Sequence, residues 1–153
     1  MIDKNLMFCQ LKVANQDVFF DEISHHLEVA GIVEAGFSDA LKLREANFPT
    51  GLPVIGGVAI PHTDGALVIE DRLVFVTLNA PMLFNEMGGD EDDKIDVRFI
   101  ILLAIGNGKK HLDMLQKVIT GIQNPNFVDG MLNAESQEQM YEVVQNDLMC
   151  IVR

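Results

Sequence analysis

The first third of the chain carries apolar residues at helical spacing in two places. Asn15 precedes an acidic first turn and an apolar series that stops before Gly31, which predicts a first helix. Ser38 and Asp39 indicate the start of a second, short helix. Pro49 ends it, because the residue before a proline is disfavoured in the α conformation. The sequence therefore predicts two helices before residue 50, the first with an apolar side formed by Phe19, Ile23, Leu27 and Ala30.

The middle of the chain has the composition of β-strands. Residues 58–60 are apolar and stop at Pro61, which places His62 at a strand end. Residues 72–78 and 95–105 are rich in β-branched and apolar side chains without a helical period. The second run is continuous enough for a strand that is buried on both faces. We therefore expect these runs to form a largely buried sheet.

Two glycines and four consecutive acids interrupt this strand-rich region. Residues 82–85 are predicted to add an edge strand, and residues 86–93 to form an exposed loop. The acidic run lacks the alternating ligands and the downstream glutamate of an EF-hand loop. We interpret it as a solvated surface loop rather than a calcium site.

Helical periodicity returns in the last third of the chain. After Asn107 and Gly108, an apolar stripe predicts a helix that contains Leu112, Leu115, Val118, Ile119 and Ile122. Ser136 and Gln139 have the spacing of a capping box for a last helix, whose apolar side is Met140, Val143, Val144, Leu148 and Ile151. No internal repeat or linker divides the chain. Intermixed helices and strands predict one domain, residues 1–153, with an α/β layered architecture around a mostly buried sheet.

Composition narrows the classes of function. The 153 residues include 11 basic and 23 acidic side chains, a formal charge of −12 that argues against nucleic-acid binding through a basic face. The chain opens without a charged-then-apolar leader, and its longest apolar stretch, residues 99–105, is far shorter than the ~20 residues that span a bilayer. We expect a cytoplasmic protein without direct membrane insertion, in which Cys9 and Cys150 are reduced thiols rather than a disulfide.

Histidines are the first candidates for chemistry, and two of them are adjacent in the predicted first helix. His25 and His26 lie near Glu22, but the segment lacks the H-E-x-x-H spacing of a zinc site. Partly exposed histidines are common on helices. We therefore favour a surface position for both over a metal site.

His62 differs because its surroundings present it rigidly. Gly56 and Gly57 allow close approach of the backbone, and Pro61 stiffens the entry to the histidine. From these residues alone, a nucleophile, a ligand, a packed side chain and a surface residue all remain open for His62.

Three motifs follow one another along the chain. The first is Leu43-Arg44-Glu45 followed by Pro49-Thr50-Gly51, the second is Gly57-Val58-Ala59-Ile60-Pro61-His62, and the third is Lys110-His111-Leu112. They resemble, in this order, the arginine-containing segment, the phosphorylation signature and the third motif of the enzyme IIA domain of the fructose, mannitol and galactitol branch of the bacterial sugar phosphotransferase system. The motifs occur in family order, and the chain is collinear with the family from about residue 7 to 148. The resemblance implies a single mixed β-sheet flanked by helices.

The resemblance also implies a phosphocarrier. His62 would accept a phosphoryl group from the phosphohistidine of the small phosphocarrier protein. It would then pass that group to a cysteine of a IIB component, with a membrane IIC component downstream, during uptake of a sugar or sugar alcohol. Neutral imidazole suits this role, because its pKa of about 6.5 leaves one ring nitrogen unprotonated at neutral pH. Neither a cofactor nor a metal is expected.

Arg44 and His111 are the supporting candidates. A guanidinium offers paired donors to phosphate oxygens, and the resemblance favours this role for Arg44 over a salt bridge with Glu45 or the acidic loop. His111 lies in the first turn of its helix, where free N–H groups favour an anion and a neutral ring. A phosphate-orienting role, a local helix cap and a surface position remain open for His111.

The branch of the family is indicated by two departures from the mannitol and fructose pattern. Thr63-Asp64 replaces the glycine that usually follows the active histidine, and the stretch that begins at Gly88-Gly89-Asp90 is lengthened. Both features resemble the galactitol-type branch, which makes galactitol the candidate substrate. The IIC component selects the sugar in this family, so the IIA sequence does not identify it.

Two other classes of function stay open. One is a regulatory module of the same fold, whose phosphorylation state gates a protein partner. The other is a metal-dependent hydrolase that uses His62 and His111, although the sequence offers no third ligand at a recognisable spacing. The acceptor of the phosphoryl group separates the first from a transport role, and metal analysis tests the second.

Overall fold

A five-stranded mixed sheet runs through the centre of the protein, in a computed structural model that describes residues 1–148. The strand order is β1-β4-β5-β3-β2. β1 is parallel to β4, β4 is antiparallel to β5, β5 is parallel to β3, and β3 is antiparallel to β2. The strands are β1 (Ile2–Leu11), β2 (Gly51–Leu52), β3 (Val58–Ala59), β4 (Arg72–Asn85) and β5 (Lys94–Ala104).

Helices cover both faces of this sheet, as the resemblance implied. The helices are α1 (Gln16–Val29), α2 (Phe37–Asn47), α3 (Gly108–Ile122), α4 (Pro125–Asn133) and α5 (Gln137–Val143), which continues as a π-helical turn (Val144–Leu148). The first two pack on one face, and the other three with the π-helical turn pack on the other. No helix within residues 1–148 combines the length and apolar character needed to cross a membrane.

The central strand β5 shows why the sheet separates two apolar layers. Ile100, Leu102 and Ala104 contact the layer of α1 and α2. Phe99, Ile101 and Leu103 alternate with them and contact the layer of α3, α4 and α5. Because successive side chains of a strand point to opposite faces, a strand covered on both sides must be apolar at every position. The prediction of a doubly buried strand is confirmed for residues 99–104, whereas Lys94, Asp96 and Arg98 in the first half of β5 are exposed.

Several predicted boundaries are also confirmed. The Asn15 side chain accepts a hydrogen bond from the Val18 N–H at 3.0 Å and caps α1. The Ser136 hydroxyl accepts one from the Gln139 N–H at 3.1 Å and caps α5. Residues 87–93 are exposed, as predicted for the acidic loop. Cys150 and Ile151 lie outside the described residues.

The start of α2 differs from the prediction. The helix begins at Phe37, and Gly36 occupies the N-cap position with a φ of 95°. Ser38 does not cap the helix, because its hydroxyl donates a hydrogen bond to Asp21 of α1 at 2.6 Å. A tertiary contact therefore uses the side chain that the sequence pattern assigned to capping.

The predicted edge strand at residues 82–85 is wrong as a separate element. These residues continue β4 after a register shift between Thr77 and Met82, and they pair with β5. β1, β2 and α4 were not predicted. The α4 signal was present, because Asn124 caps a helix whose first residue is Pro125.

The second half of the proposed capping box also differs. Gln139 accepts a hydrogen bond from the Glu135 N–H at 2.7 Å, one residue before the cap, rather than from Ser136. The α5 helix gives way to the π-helical turn at Val144, although the predicted apolar side is retained at Met140, Val144 and Leu148, which are all buried.

Candidate active site

The backbone before His62 is fixed against the edge of β5 by a glycine. Gly57 has a φ of 70°, and a Cβ atom at this position would overlap the Asp96 carbonyl oxygen. Its own carbonyl oxygen accepts hydrogen bonds from the Arg98 N–H at 3.0 Å and the Phe99 N–H at 3.2 Å. Only glycine satisfies both the positive φ and this close approach. The predicted close approach of the backbone at this glycine is confirmed.

The imidazole of His62 is held by the backbone that follows β3. Nδ1 lies 2.8 Å from the Ile60 carbonyl oxygen. A carbonyl oxygen can only accept, so Nδ1 carries the hydrogen and donates it. In the neutral ring, Nε2 then keeps its lone pair. The arrangement leaves one defined nitrogen available as a nucleophile.

Two neighbouring parallel strands explain why His62 and His111 meet. His62 follows β3 and forms a bridge with Leu103 near the end of β5, where the Leu103 N–H donates to the Pro61 carbonyl at 3.0 Å. His111 lies in the first turns of α3, which begins soon after β5 ends. The two ring centroids are 4.9 Å apart, with an interplanar angle of 79°. The sheet therefore brings together two histidines that are distant in sequence.

The structure narrows the alternatives for His111. The residue is only 9% exposed, so it is not a surface residue. The Asn107 side chain performs the helix cap by accepting from the Lys110 N–H at 3.0 Å. The edge-to-face contact with the His62 ring is therefore the distinctive interaction of its side chain.

Arg44 lies in the last turn of α2 and forms none of the salt bridges found within residues 1–148. Its guanidinium carbon lies 4.3 Å from the centre of the Phe48 ring, a cation–π contact. Its Nε is buried and lacks a hydrogen-bond partner among the described residues. The carboxylate of the neighbouring Glu45 accepts hydrogen bonds from Thr50. The guanidinium therefore retains donors for a ligand, and the salt-bridge alternative does not hold in the described part of the chain.

Burial and the charge of Arg44 favour the neutral form of both histidines. Burial lowers the pKa of His62 below its ordinary value of 6.5, the Ile60 carbonyl opposes the shift, and the positive charge of Arg44 adds to it. Burial also lowers the pKa of His111. Repulsion from a protonated His62 and from Arg44 acts in the same direction, and the Asp64 carboxylate opposes it. A neutral His62 is the form that has a lone pair on Nε2.

A groove of about 270 Å³ lies beside Arg44 and the residues that follow His62. Its walls are formed by Ala40, Leu43, Arg44, Asn47, Phe48, Thr63 and Asp64. The Thr63 hydroxyl accepts from the Gly65 N–H at 3.2 Å, and the Asp64 carboxylate accepts from the Ala66 N–H at 3.0 Å. Sequence reasoning missed Phe48 as part of the site. Its spacing of four residues from Arg44 at a helix end is the signal that would have indicated the contact.

The other sequence candidates are not part of this site. His25 and His26 are exposed on α1. Within residues 1–148, no group of three or more histidine, cysteine, aspartate or glutamate side chains is arranged to hold a metal ion. The hydrolase alternative therefore lacks a ligand set in the described part of the protein.

Comparison with known proteins identifies the family. Residues 1–147 match the family described as phosphoenolpyruvate-dependent sugar phosphotransferase system, EIIA 2. The chain belongs to this family. An EIIA protein is a phosphotransferase component that works through a phosphohistidine intermediate, and the predicted class of activity is therefore confirmed.

Individual EIIA relatives come from both transport and regulation. The galactitol-specific EIIA component of Escherichia coli strain K12 is 26% identical over 121 residues, which cover 78% of this chain and 79% of that protein. A nitrogen regulatory protein of Klebsiella oxytoca is 31% identical over 110 residues, covering 69% of this chain and 63% of that protein.

A solved structure confirms the EIIA fold. Enzyme IIAMTL of Escherichia coli, in complex with phosphorylated enzyme IIBMTL, superposes with a TM-score of 0.76 at 20% identity, covering 95% of this chain and 99% of that chain. At this identity, the likeness concerns the fold.

Proposed function

We propose that this EIIA protein carries phosphoryl groups on Nε2 of His62. The observation that carries the proposal is the hydrogen bond from Nδ1–H to the Ile60 carbonyl, which leaves Nε2 with the lone pair. Nε2 attacks the phosphorus of the donor phosphohistidine, and the donor's P–N bond breaks. A cysteine thiolate of a IIB component then attacks the same phosphorus, and the bond to Nε2 breaks.

Arg44 acts as the electrostatic partner of this transfer. Phosphoryl transfer passes through a loose transition state with charge on three equatorial oxygens. Arg44 has a buried Nε without a hydrogen-bond partner in the described chain, and its charge acts on both histidines. A guanidinium can donate two parallel hydrogen bonds to a phosphoryl group. These observations support the proposal that Arg44 donates hydrogen bonds to the transferred phosphoryl group rather than to a carboxylate.

His111 supports the phosphoryl group without forming a bond to phosphorus. Its ring contacts the His62 ring edge to face, and its pKa is lowered mainly by burial. A neutral imidazole can donate one hydrogen bond through one ring nitrogen and accept one through the other. This role is to orient the phosphoryl group or the attacking ring.

The surroundings of the site suit protein partners. Leu43 and Phe48, which line the groove, are 67% and 59% exposed, and Leu112, next to His111, is 56% exposed. Exposed apolar side chains of this size near a reactive group are typical of protein interaction sites. The phosphocarrier protein as donor and a IIB component as acceptor would bind here in turn.

Galactitol is the proposed transport substrate, through a membrane IIC component that this protein does not replace. The support is the likeness to the galactitol-specific EIIA component of Escherichia coli together with the Thr63-Asp64 pair after His62. A panel of IIB acceptors tests the branch. The galactitol IIB component should accept the phosphoryl group faster than the mannitol or fructose IIB component, and the reverse order would reject the assignment.

The experiment for the main proposal follows the phosphoryl group through both transfers. The protein is incubated with phosphoenolpyruvate, enzyme I and the phosphocarrier protein, and soluble IIB is then added. We expect one acid-labile phosphoryl group, which NMR of the ring nitrogens places on Nε2 of His62 and which IIB removes. Labelling at Nδ1 or at another residue would refute the assignment.

The regulatory role is the second candidate, because the nitrogen regulatory protein of Klebsiella oxytoca is 31% identical over 110 residues. The two candidates differ in what happens after His62 is phosphorylated. If no IIB component of the panel removes the phosphoryl group, while phosphorylation changes binding to a protein partner, the regulatory role replaces transport.

A further inference from the structure

Glu45 is a buried acid next to the arginine of the site. It is 6% exposed, and it takes part in none of the ion pairs found within residues 1–148. Its carboxylate accepts two hydrogen bonds from Thr50, one from the N–H and one from the hydroxyl, each at 2.6 Å. Burial raises the pKa of Glu45, which the Thr50 bonds oppose. A buried acid that serves packing alone is unfavourable compared with an apolar residue of similar volume.

These two hydrogen bonds, which we call the Glu45–Thr50 clasp, close the turn that follows α2. Phe48 lies within the closed turn, its N–H donates to the Arg44 carbonyl at 2.7 Å, and its ring lies under the guanidinium of Arg44. The position of the ring beneath Arg44 thus depends on the closure of the turn. One end of the clasp is therefore linked, through Phe48, to the guanidinium of Arg44.

The other end of the clasp is linked to His62. The Thr50 carbonyl accepts from the Ile60 N–H at 3.3 Å, and the next residue, Gly51, pairs with Ala59 of β3. The Ile60 carbonyl in turn accepts from Nδ1 of His62. Hydrogen bonds, joined by the backbone of Thr50 and Ile60, therefore connect Glu45 to the imidazole that the proposed function makes the nucleophile.

We propose that Glu45 is a positioning residue that acts through Thr50 to hold the Arg44 guanidinium at the correct distance from Nε2 of His62. The proposal rests on the phosphocarrier function given above. A displacement of about 1 Å in such a site can slow a reaction about a hundredfold. The clasp therefore serves the transfer of the phosphoryl group, in addition to closing a turn.

The test uses Glu45→Gln, which preserves the size of the side chain and replaces one of its two acceptor oxygens by a donor. We expect the maximal rate of phosphoryl acceptance to fall about tenfold or more, with the KM for the phosphocarrier protein unchanged. Thr50→Val, which keeps the N–H and removes the hydroxyl, should show a smaller decrease in the same direction. Thr50→Ser retains the N–H and the hydroxyl, and this variant should transfer the phosphoryl group at the wild-type rate.

A double-mutant cycle separates positioning from general support of the fold. In an Arg44→Lys background, Glu45→Gln should slow transfer by less than about twofold, because the group it positions is gone. Equal fold-changes in both backgrounds would reject the proposal. The NMR signal of the Arg44 Nε–H should move in Glu45→Gln and Thr50→Val, and an unmoved signal would also reject it.

The matched control is Gln139→Ala at the start of α5. This variant loses the hydrogen bond that the Gln139 side chain accepts from the Glu135 N–H at 2.7 Å, a length similar to that of the hydrogen bonds in the clasp. It should lower stability without changing the transfer rate or the Arg44 signal. If Gln139→Ala slows transfer as much as Glu45→Gln, the positioning role is rejected.

If wild-type protein accepts no phosphoryl group at all, the proposed function fails. If wild-type protein accepts it normally and Glu45→Gln has no effect on the rate, only the positioning role is rejected.

Discussion

The protein contains two pairs of neighbouring histidines that differ in sequence separation and in burial. His25 and His26 are adjacent in sequence and exposed on α1. His62 and His111 are far apart in sequence, yet their rings lie 4.9 Å apart, and burial lowers the pKa of each. Parallel strands end at the same edge of a sheet, so β3 and β5 deliver the second pair to one place. Topology, rather than proximity in sequence, produces the candidate site.

The largest expected effect comes from removing His62 from the buried pair, and removal of both exposed histidines is the control. His62→Ala should abolish acid-labile phosphorylation by the phosphocarrier protein, because it removes the imidazole whose Nδ1–H bonds to the Ile60 carbonyl and whose Nε2 keeps the lone pair. The double variant His25→Ala/His26→Ala should accept the phosphoryl group at the wild-type rate. Intact-mass measurement over time, after the phosphorylated carrier is added, shows whether each variant accepts the phosphoryl group and how fast. A phosphoryl group retained by His62→Ala would contradict the comparison.

The local presentation of His62 could be predicted from the sequence because short-range rules govern it. Gly57 is required by its positive φ, and Pro61 marks the end of the extended segment that precedes His62. The cap of α3 at Asn107 obeys a local rule as well. Each of these features depends on a few consecutive residues, which is the range that sequence patterns report reliably.

The encounter of His62 with His111 could not be predicted from spacing. It depends on β5 lying beside β3, a pairing between segments separated by the whole of β4. The family resemblance supplied this proximity; the residue pattern did not. β1 was missed for a related reason, because its partner β4 is distant in sequence and its buried positions, Leu6 and Met7, are consecutive and do not alternate.

The second prediction asks how much of the difference between the pairs is due to Arg44. Arg44→Lys should keep the fold and slow phosphoryl transfer about a hundredfold, because a point charge replaces paired donors to the phosphoryl oxygens. Rapid-quench measurements of transfer from the carrier and to IIB give the rates. Arg98→Lys, at an exposed position of β5, is the matched control and should have the wild-type rate. Equal rates for the two variants would remove Arg44 from the mechanism.

The third prediction concerns the supporting member of the buried pair. His111→Gln should still be phosphorylated on His62, with a rate or phosphohistidine lifetime altered about tenfold, the equivalent of about 1.4 kcal/mol for a hydrogen bond to a charged group. The lifetime is measured by loss of label at neutral pH. His26→Gln is the control. Complete loss of the phosphoryl group would make His111 an obligatory acceptor, and an unchanged rate and lifetime would make it a bystander.

The smallest expected effect is a change in the titration of His62. Its pKa lies below 6.5, and Arg44→Gln should raise it toward 6.5 by only part of the shift, because burial is the larger cause and Arg44 the lesser. A lowered pKa means that the unfolded chain binds the proton first as the pH falls. The stability associated with neutral His62 is therefore complete above pH 6.5 and decreases as the pH falls toward the pKa of His62 in the folded protein.

NMR titration of the His62 ring, with Arg98→Gln as the control for loss of a distant charge, gives the pKa values. A wild-type pKa at or above 6.5 would mean that burial does not favour the neutral nucleophile, and the contrast with the exposed pair would then rest on geometry alone.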